Sequence, residues 1–313
     1  MRWCPLLLPV VAAACRPVSP VIAQATSASV PNSVSVDAVR ERLLVRIAAV
    51  PGADVAIAVQ DLASGRRLDI RGDTIMHAAS TMKVPVLFAL FQEYRSGRLR
   101  PDQTLRLENR FRSIVDRSPY MLNPAQDSDS SVYTLVGSDV PLTLLARRMI
   151  THSSNLATNA LITQLDPARI TQITRELGAT RLQVLRGVED NVAYRAGLNN
   201  TATAHDLVAL FVALEQGRVA DAASTREMLA ILEAQAFNDE IPAGLPRGTR
   251  VAHKTGSITA TLHDAGLVYP PGNTPYAIAI LTRNIPDQRV AAALIADCSR
   301  IVWDWLQSPG PAN

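Results

Sequence analysis

The sequence predicts an α+β protein: an antiparallel sheet built from both chain ends and flanked by helices, with an all-helical lobe inserted between them. Strand patterns cluster near the two ends, at 54–61 and 67–71 and again at 250–254, 262–269 and 276–282. Helical periodicity fills the stretch between them. With 313 residues, 48% hydrophobic and 19% charged, the chain can bury a sizeable core and disorder is not expected. The expected division is an α/β lobe at about 30–72 and 223–313 and a helical lobe at about 76–222.

Residues 1–25 read as an export signal, because Arg2 precedes an apolar run at 6–14 that is too short to span a bilayer. Two processing sites compete. Ala23-Gln24-Ala25 fits an A-x-A peptidase site, and Ala12-Ala13-Ala14-Cys15 resembles a lipoprotein box that would put a lipid anchor on Cys15. Either way the product is expected to be exported to the periplasm. Without 1–25 the chain carries 29 Arg plus Lys against 28 Asp plus Glu, a near-neutral balance that argues against nucleic acid as a partner. Cys4 and Cys15 lie in or near the signal, so Cys298 has no intramolecular disulfide partner and reads as a buried small hydrophobe.

Helix 37–50 opens the domain, with Val39, Leu43, Leu44 and Ile47 on one stripe and Pro51-Gly52 as its stop. Strands 54–61 and 67–71 follow as a hairpin turned by Ala63-Ser64-Gly65. Helices are expected at 81–96, 142–150, 156–165 and 167–177, the last ended by Gly178. Thr203 precedes a stripe of Leu207, Leu210, Phe211 and Leu214 closed by Gly217, and Ser224 with Glu227 reads as a capping box for the next helix. Pro270-Pro271-Gly272-Asn273 separates the last two strands, and an amphipathic helix at 287–306 finishes the domain. There is no internal repeat.

Of the 31 basic residues 29 are Arg, and both lysines sit in short motifs suited to serine acyl transfer: Ser80-Thr81-Met82-Lys83 and Lys254-Thr255-Gly256. A guanidinium keeps its proton in a protein, whereas a buried ammonium can lose one. Ser80 is expected one position before a helix, at the positive end of its dipole, with Lys83 on the same face. Val84, Val86, Leu87, Phe88, Leu90 and Phe91 make that helix apolar on most sides, which would push Lys83 toward its neutral, basic form. Ser153-Ser154-Asn155 lies between two helix patterns, so its side chains can reach a cleft. Lys254-Thr255-Gly256-Ser257 ends a strand, where Gly256 lets a substrate approach the backbone. Taken singly, each piece also fits an N-cap serine before a solvated lysine, helix-capping residues, or a lysine guarding an edge strand.

The three pieces in this order resemble the signature set of the penicillin-recognising serine enzymes, most closely class A β-lactamases and their exported serine-hydrolase relatives. The likeness spans nearly the whole mature chain, 26–313. It implies that Ser80 is the acylated nucleophile, Lys83 its base or proton relay, and Ser153 the proton donor to the lactam nitrogen. Asn155 would bind the substrate side-chain amide, Lys254 and Thr255 its carboxylate, and the N–H groups of Ser80 and Ser257 would form the oxyanion hole. The implied activity is β-lactam hydrolysis through an acyl-enzyme, by a monomer without cofactor or metal. D-Ala-D-Ala peptidase or esterase action on cell-wall peptides, and a penicillin sensor that acylates without turnover, stay open.

Two departures stand out. The family has Asp, chiefly a loop organiser, where this chain has Ser154. Its deacylating loop reads Arg, one residue, Glu, then Asn four positions later, whereas this chain reads Arg186-Gly187-Val188-Glu189-Asp190-Asn191. Glu189 is therefore either the base that orients the hydrolytic water or a surface acid pairing with Arg186 or Arg195. The segment 111–133, with Asp116, Asp127 and Asp129, is longer than the usual link and could rim the cleft. His77, His152, His205, His253 and His263 lack paired-ligand spacing and read as structural or surface residues, with His253 facing away from Lys254.

Overall fold

A computed structural model describes residues 1–3 and 34–308. The expected processing sites and Cys15 lie outside the described residues. The first helix, α1 (Val36–Ala48), is capped by Ser35 and leads to the hairpin β1 (Asp54–Asp61) and β2 (Arg67–Ile70). Strand β2 stops one residue short of the expected 71, because Arg71 turns to a φ of 51°. Next come β3 (Met76–His77), a 3₁₀ turn (Ala79–Met82) and α2 (Lys83–Arg95). The helix expected from 81 thus begins at Lys83, and Ser80 belongs to the 3₁₀ turn. Pro85, in the first turn of α2, lacks only an N–H that has no intrahelical partner there.

Short strands β4 (Thr104–Arg106), β5 (Phe111–Arg112), β6 (Pro119–Tyr120) and β7 (Asp139–Pro141) surround a 3₁₀ turn at Ser130–Leu135. Helices α3 (Leu142–Thr151), α4 (Asn155–Leu165), α5 (Pro167–Glu176) and the single turn α6 (Asn191–Arg195) follow. Strand β8 (Thr201–Ala202) precedes α7 (Ala204–Glu215) and α8 (Ala222–Glu233). Helix α8 is capped not by Ser224 with Glu227 but by Asp221, whose carboxylate accepts the N–H groups of Ala223 and Ser224. The chain closes with β9 (Arg250–Ile258), β10 (Thr261–Tyr269), β11 (Tyr276–Arg283) and α9 (Gln288–Gln307).

The central sheet has the order β2-β1-β11-β10-β9 and is antiparallel throughout, so the first and last strands of the chain are neighbours. Its helical insertion also carries three two-stranded ribbons, β3 with β8, β4 with β7 and β5 with β6, each too short to leave an alternating pattern. The two faces of the sheet have different sizes of side chain. Val55, Ile57, Val59, Ile278 and Ile280 pack with Leu43 of α1 and Leu294, Val302 and Trp305 of α9. On the other face Ala56, Ala58, Ala277 and Ala279 join Leu207, Leu210 and Phe211 of α7 in the larger core. Alanines on that side allow helices to lie close to the strands, and period-2 alternation keeps the two cores separate. Cys298 is buried in the smaller core, and burial pushes its thiol up to about 12. No helix among the described residues is long and apolar enough to cross a membrane.

Candidate active site

Helix α2 runs through the core with every residue from Lys83 to Glu93 buried, so the Lys83 amine is taken out of water along with its apolar neighbours. Its Nζ donates to the Ser153 carbonyl oxygen at 2.6 Å, the Ser153 hydroxyl at 3.0 Å and Asn155 Oδ1 at 2.9 Å. Burial holds its pKa well below the usual lysine range, and Lys254 pushes in the same direction. Asp127 and Glu189 oppose both.

Lys254 is fully buried, and it sits within β9 rather than ending it, since the strand continues to Ile258 by pairing with the start of β10. Its Nζ donates to the Thr255 carbonyl oxygen at 2.9 Å. Burial lowers its pKa to about 7, against the pull of Asp264 and Glu240. Next along the strand, Gly256 lets β9 meet the Ser80 turn. A Cβ there would lie 2.9 Å from the backbone N of both Ser80 and Thr81.

The turn itself is held from below. His77 Nδ1 accepts the Ala79 N–H at 3.0 Å, and burial with the nearby Arg186 lowers the His77 pKa to about 4, keeping that acceptor free of a proton. His263 Nε2 lies 2.9 Å from the His77 carbonyl oxygen, which fixes the strand that feeds the turn. His253, buried against Asp264 at 2.9 Å, stays structural and turns away from the cleft.

Asn155 starts α4 and works at both ends of its amide. While Oδ1 receives Lys83, Nδ2 donates to Glu189 Oε1 at 2.8 Å. Glu189 therefore faces Asn155 instead of Arg186, which donates to the Leu198 and Gly187 carbonyls and to Asn199 Oδ1. The unusual spacing of this loop is met by two other asparagines. Asn159 accepts the Val188 N–H at 2.7 Å and donates to the Val188 carbonyl at 3.0 Å. Asn200 accepts the N–H groups of Leu185 and Arg186 at 2.8 and 3.2 Å. At Gly187 a Cβ would lie 2.6 Å from Asn159 Oδ1, so a side chain there would displace the amide that holds Val188.

Two hollows of about 310 and 320 Å³ share Ser80 and Ser257 in their walls, so space for a ligand lies on both sides of the Ser80 hydroxyl. Asn155 and Glu189 line the first; Ser153, Thr255 and Glu240 line the second. Ala79, Ser153 and Glu189 are held at φ of 46°, 57° and 61°, a left-handed backbone that costs non-glycine residues energy and that here aims the neighbouring groups. The structure thus brings Ser80, Ser153, Asn155, Glu189, Thr255 and Ser257 to the walls of one cleft, with Lys83 buried behind Ser153 and Asn155 and Lys254 buried within β9. The arrangement offers a hydroxyl at a pinned turn, an amine with depressed basicity, and a carboxylate across the cleft.

A family model described as the beta-lactamase enzyme family matches residues 38–306. The chain belongs to that family. A beta-lactamase of Streptomyces albus G is 26% identical over 273 residues, covering 85% of this chain and 84% of that one. Among solved structures, PBP-A is 28% identical with a TM-score of 0.73, covering 86% of this chain and 96% of PBP-A. A mutant of PBP-A has been solved as an acyl-enzyme complex with penicillin G. TLA-3 extended-spectrum beta-lactamase superposes with a TM-score of 0.77 at 20% identity and shares the fold.

The sequence points to Asp127 only as part of a segment that could rim the cleft, and to Glu240 not at all. Asp127 accepts the N–H groups of Asn155 and Leu156 at 3.0 Å, from a segment that pattern alone left as a rim. Glu240 is buried in the wall with Oε2 lacking a partner, and burial with Asp264 and Asp239 raises its pKa to about 7. Neither carried a spacing signal, because each reaches the site from a loop distant in sequence.

Proposed function

We propose that this protein is a serine hydrolase of class A β-lactamase type, which opens β-lactam rings through an acyl-enzyme on Ser80. The observation that carries the reading is the Asn155 amide, which joins the buried Lys83 amine to the Glu189 carboxylate beside Ser80. In its neutral form Lys83 takes the Ser80 proton as the hydroxyl attacks the lactam carbonyl. The N–H groups of Ser80 and Ser257 receive the developing oxyanion. Ser153, hydrogen-bonded to Lys83, passes the proton to the lactam nitrogen as the ring bond breaks. Thr255, with the Lys254 ammonium behind it, holds the substrate carboxylate, and Asn155 meets the side-chain amide. Glu189 then removes a proton from the water that attacks the ester carbonyl, and a proton returns to the Ser80 oxygen as its bond to the acyl group breaks, which restores the hydroxyl and the Glu189 carboxylate.

The likeness to PBP-A favours a second reading, in which the same Ser80 acylates and releases slowly, as a penicillin-binding protein or a peptidase on D-Ala-D-Ala cell-wall peptides would. Export to the periplasm, as a soluble monomer or anchored through Cys15, suits either substrate. Nitrocefin hydrolysis by the wild type but not by Ser80→Ala is the expected result. Equal hydrolysis by the variant would remove Ser80 from the mechanism. Parallel rates on an ester and a D-Ala-D-Ala peptide separate the two substrate classes.

A further inference from the structure

The second motif carries Ser154 at its centre, and Ser154 does no more than cap α4, accepting the Ala157 N–H at 3.3 Å. The two N–H groups ahead of that one go elsewhere. Both oxygens of Asp127 lie 3.0 Å from the Asn155 N, and Oδ2 also accepts the Leu156 N–H at 3.0 Å and the Tyr133 hydroxyl at 3.0 Å. Asp127 is 28 residues before Asn155, in the long segment 111–133. Ser154 satisfies one of the free N–H groups at the start of α4, and Asp127 accepts two more, the first of them on the residue whose amide spans Lys83 and Glu189.

We infer that Asp127 is a positioning residue that orients Asn155 so that its amide spans Lys83 and Glu189, supplying from the long segment the carboxylate that Ser154 lacks. Fixing the Asn155 backbone N fixes the direction of its side chain, and both ends of that side chain are in use. An amide rotated away would break the link on both sides at once. The charge matters as well as the bond. Burial and the Lys254 charge lower the Lys83 pKa, whereas the Asp127 and Glu189 carboxylates oppose the loss of its proton. This inference rests on reading the cleft as an acyl-transfer site.

The test compares Asp127→Ala, Asp127→Asn and the double variant Asp127→Ala/Ser154→Asp with wild type. Three readouts are taken: nitrocefin kcat/KM with its pH profile, thermal melting, and crystal structures of the variants. D127A is expected to lose about tenfold or more in kcat/KM, the scale of a misplaced catalytic group, and to melt at a lower temperature, because the Asn155 and Leu156 N–H groups lose their acceptor. Its pH profile should move to lower pH, because Lys83 loses a neighbouring negative charge. D127N, which keeps one acceptor oxygen, should fall between D127A and wild type. S154D should restore the kcat/KM and pH profile of the double variant toward wild type, whereas recovery of the melting temperature alone would mark Asp127 as merely structural. In the crystal structures the contact from Asn155 Nδ2 to Glu189 should be lost in D127A and regained in the double variant.

Wild-type kinetics in D127A with that contact intact would overturn the inference, as would a folded double variant that regains neither activity nor the contact. Should D127A fail to fold, D127N and the double variant give the same comparison. If the wild type does not turn over nitrocefin, the proposed function fails, while the Asn155 contact in the variant structures still decides the role of Asp127.

Discussion

Glu189 is where the residue scale decides turnover. Its carboxylate is held by Asn155 and, among the described residues, shares the lining of the first hollow with one other acid, Asp190, whose oxygens accept the Ile114 and Ala193 N–H groups. Glu189→Gln should leave the acylation rate near wild type and lower kcat by roughly 10²-fold or more, the usual worth of a positioned general base. Stopped-flow kinetics separate the two steps, and an equal loss in both would assign Glu189 to acylation instead. Glu240 makes a second, independent prediction. Its folded pKa of about 7 lies above the ordinary 4.5, so its contribution to stability is full below about 4.5 and is lost as pH rises through about 7. Glu240→Gln, neutral at every pH, should melt like wild type in acid and above it in alkaline buffer. A pH-independent difference in melting temperature would show that Glu240 ionises freely. At this scale the lysines were the most legible feature, because a chain that uses Arg almost everywhere exposes its two exceptions. Glu189 was not, since its placement depends on Asn159 and Asn200, which no local spacing connects to it.

Among the elements, β9 bears most directly on the cleft. The strand reaches Ile258, four residues past the expected end at Lys254, because pairing with β10 carries it on. Sequence periodicity cannot register a strand continued by its neighbour's hydrogen bonds. The close contact of Gly256 with the Ser80 turn gives a direct test. Gly256→Ala would set a methyl 2.9 Å from two backbone nitrogens, neither of which is the end of a flexible side chain, so the turn must shift. A loss of about 10²-fold in kcat/KM is expected from a displacement near 1 Å. Kinetics within twofold of wild type would mean that the turn tolerates the shift. The longer elements were legible because of buried stripes and their own stops, as in α1, where Val39 and Leu43 are buried although Leu44, expected on the same stripe, is exposed. The two-residue strands and the 3₁₀ turn at Ser80 have neither, and tertiary pairing alone creates them.

Over the whole molecule the two cores divide the labour. The smaller one, of α1, α9 and one sheet face, ties the chain ends together; the larger one, on the alanine face, carries α2 through its centre and so buries Lys83. The α+β architecture was legible because strand patterns gathered at the chain ends. That the long segment 111–133 packs with α4 was not, because Phe111, Leu122 and Val132 enter the α4 core at no regular period and Asp127 meets the α4 N–H groups from 28 residues away. The central claim is that the pocket loads Ser80 with a ring-opened β-lactam and then frees it. Intact-mass spectrometry after mixing the protein with penicillin G tests it most directly, with the modified peptide located by digestion. The account predicts an adduct of one penicillin on the Ser80 peptide that forms and then decays to unmodified protein as the drug is consumed. An adduct that persists after free drug is removed, or one on any other residue, would contradict it.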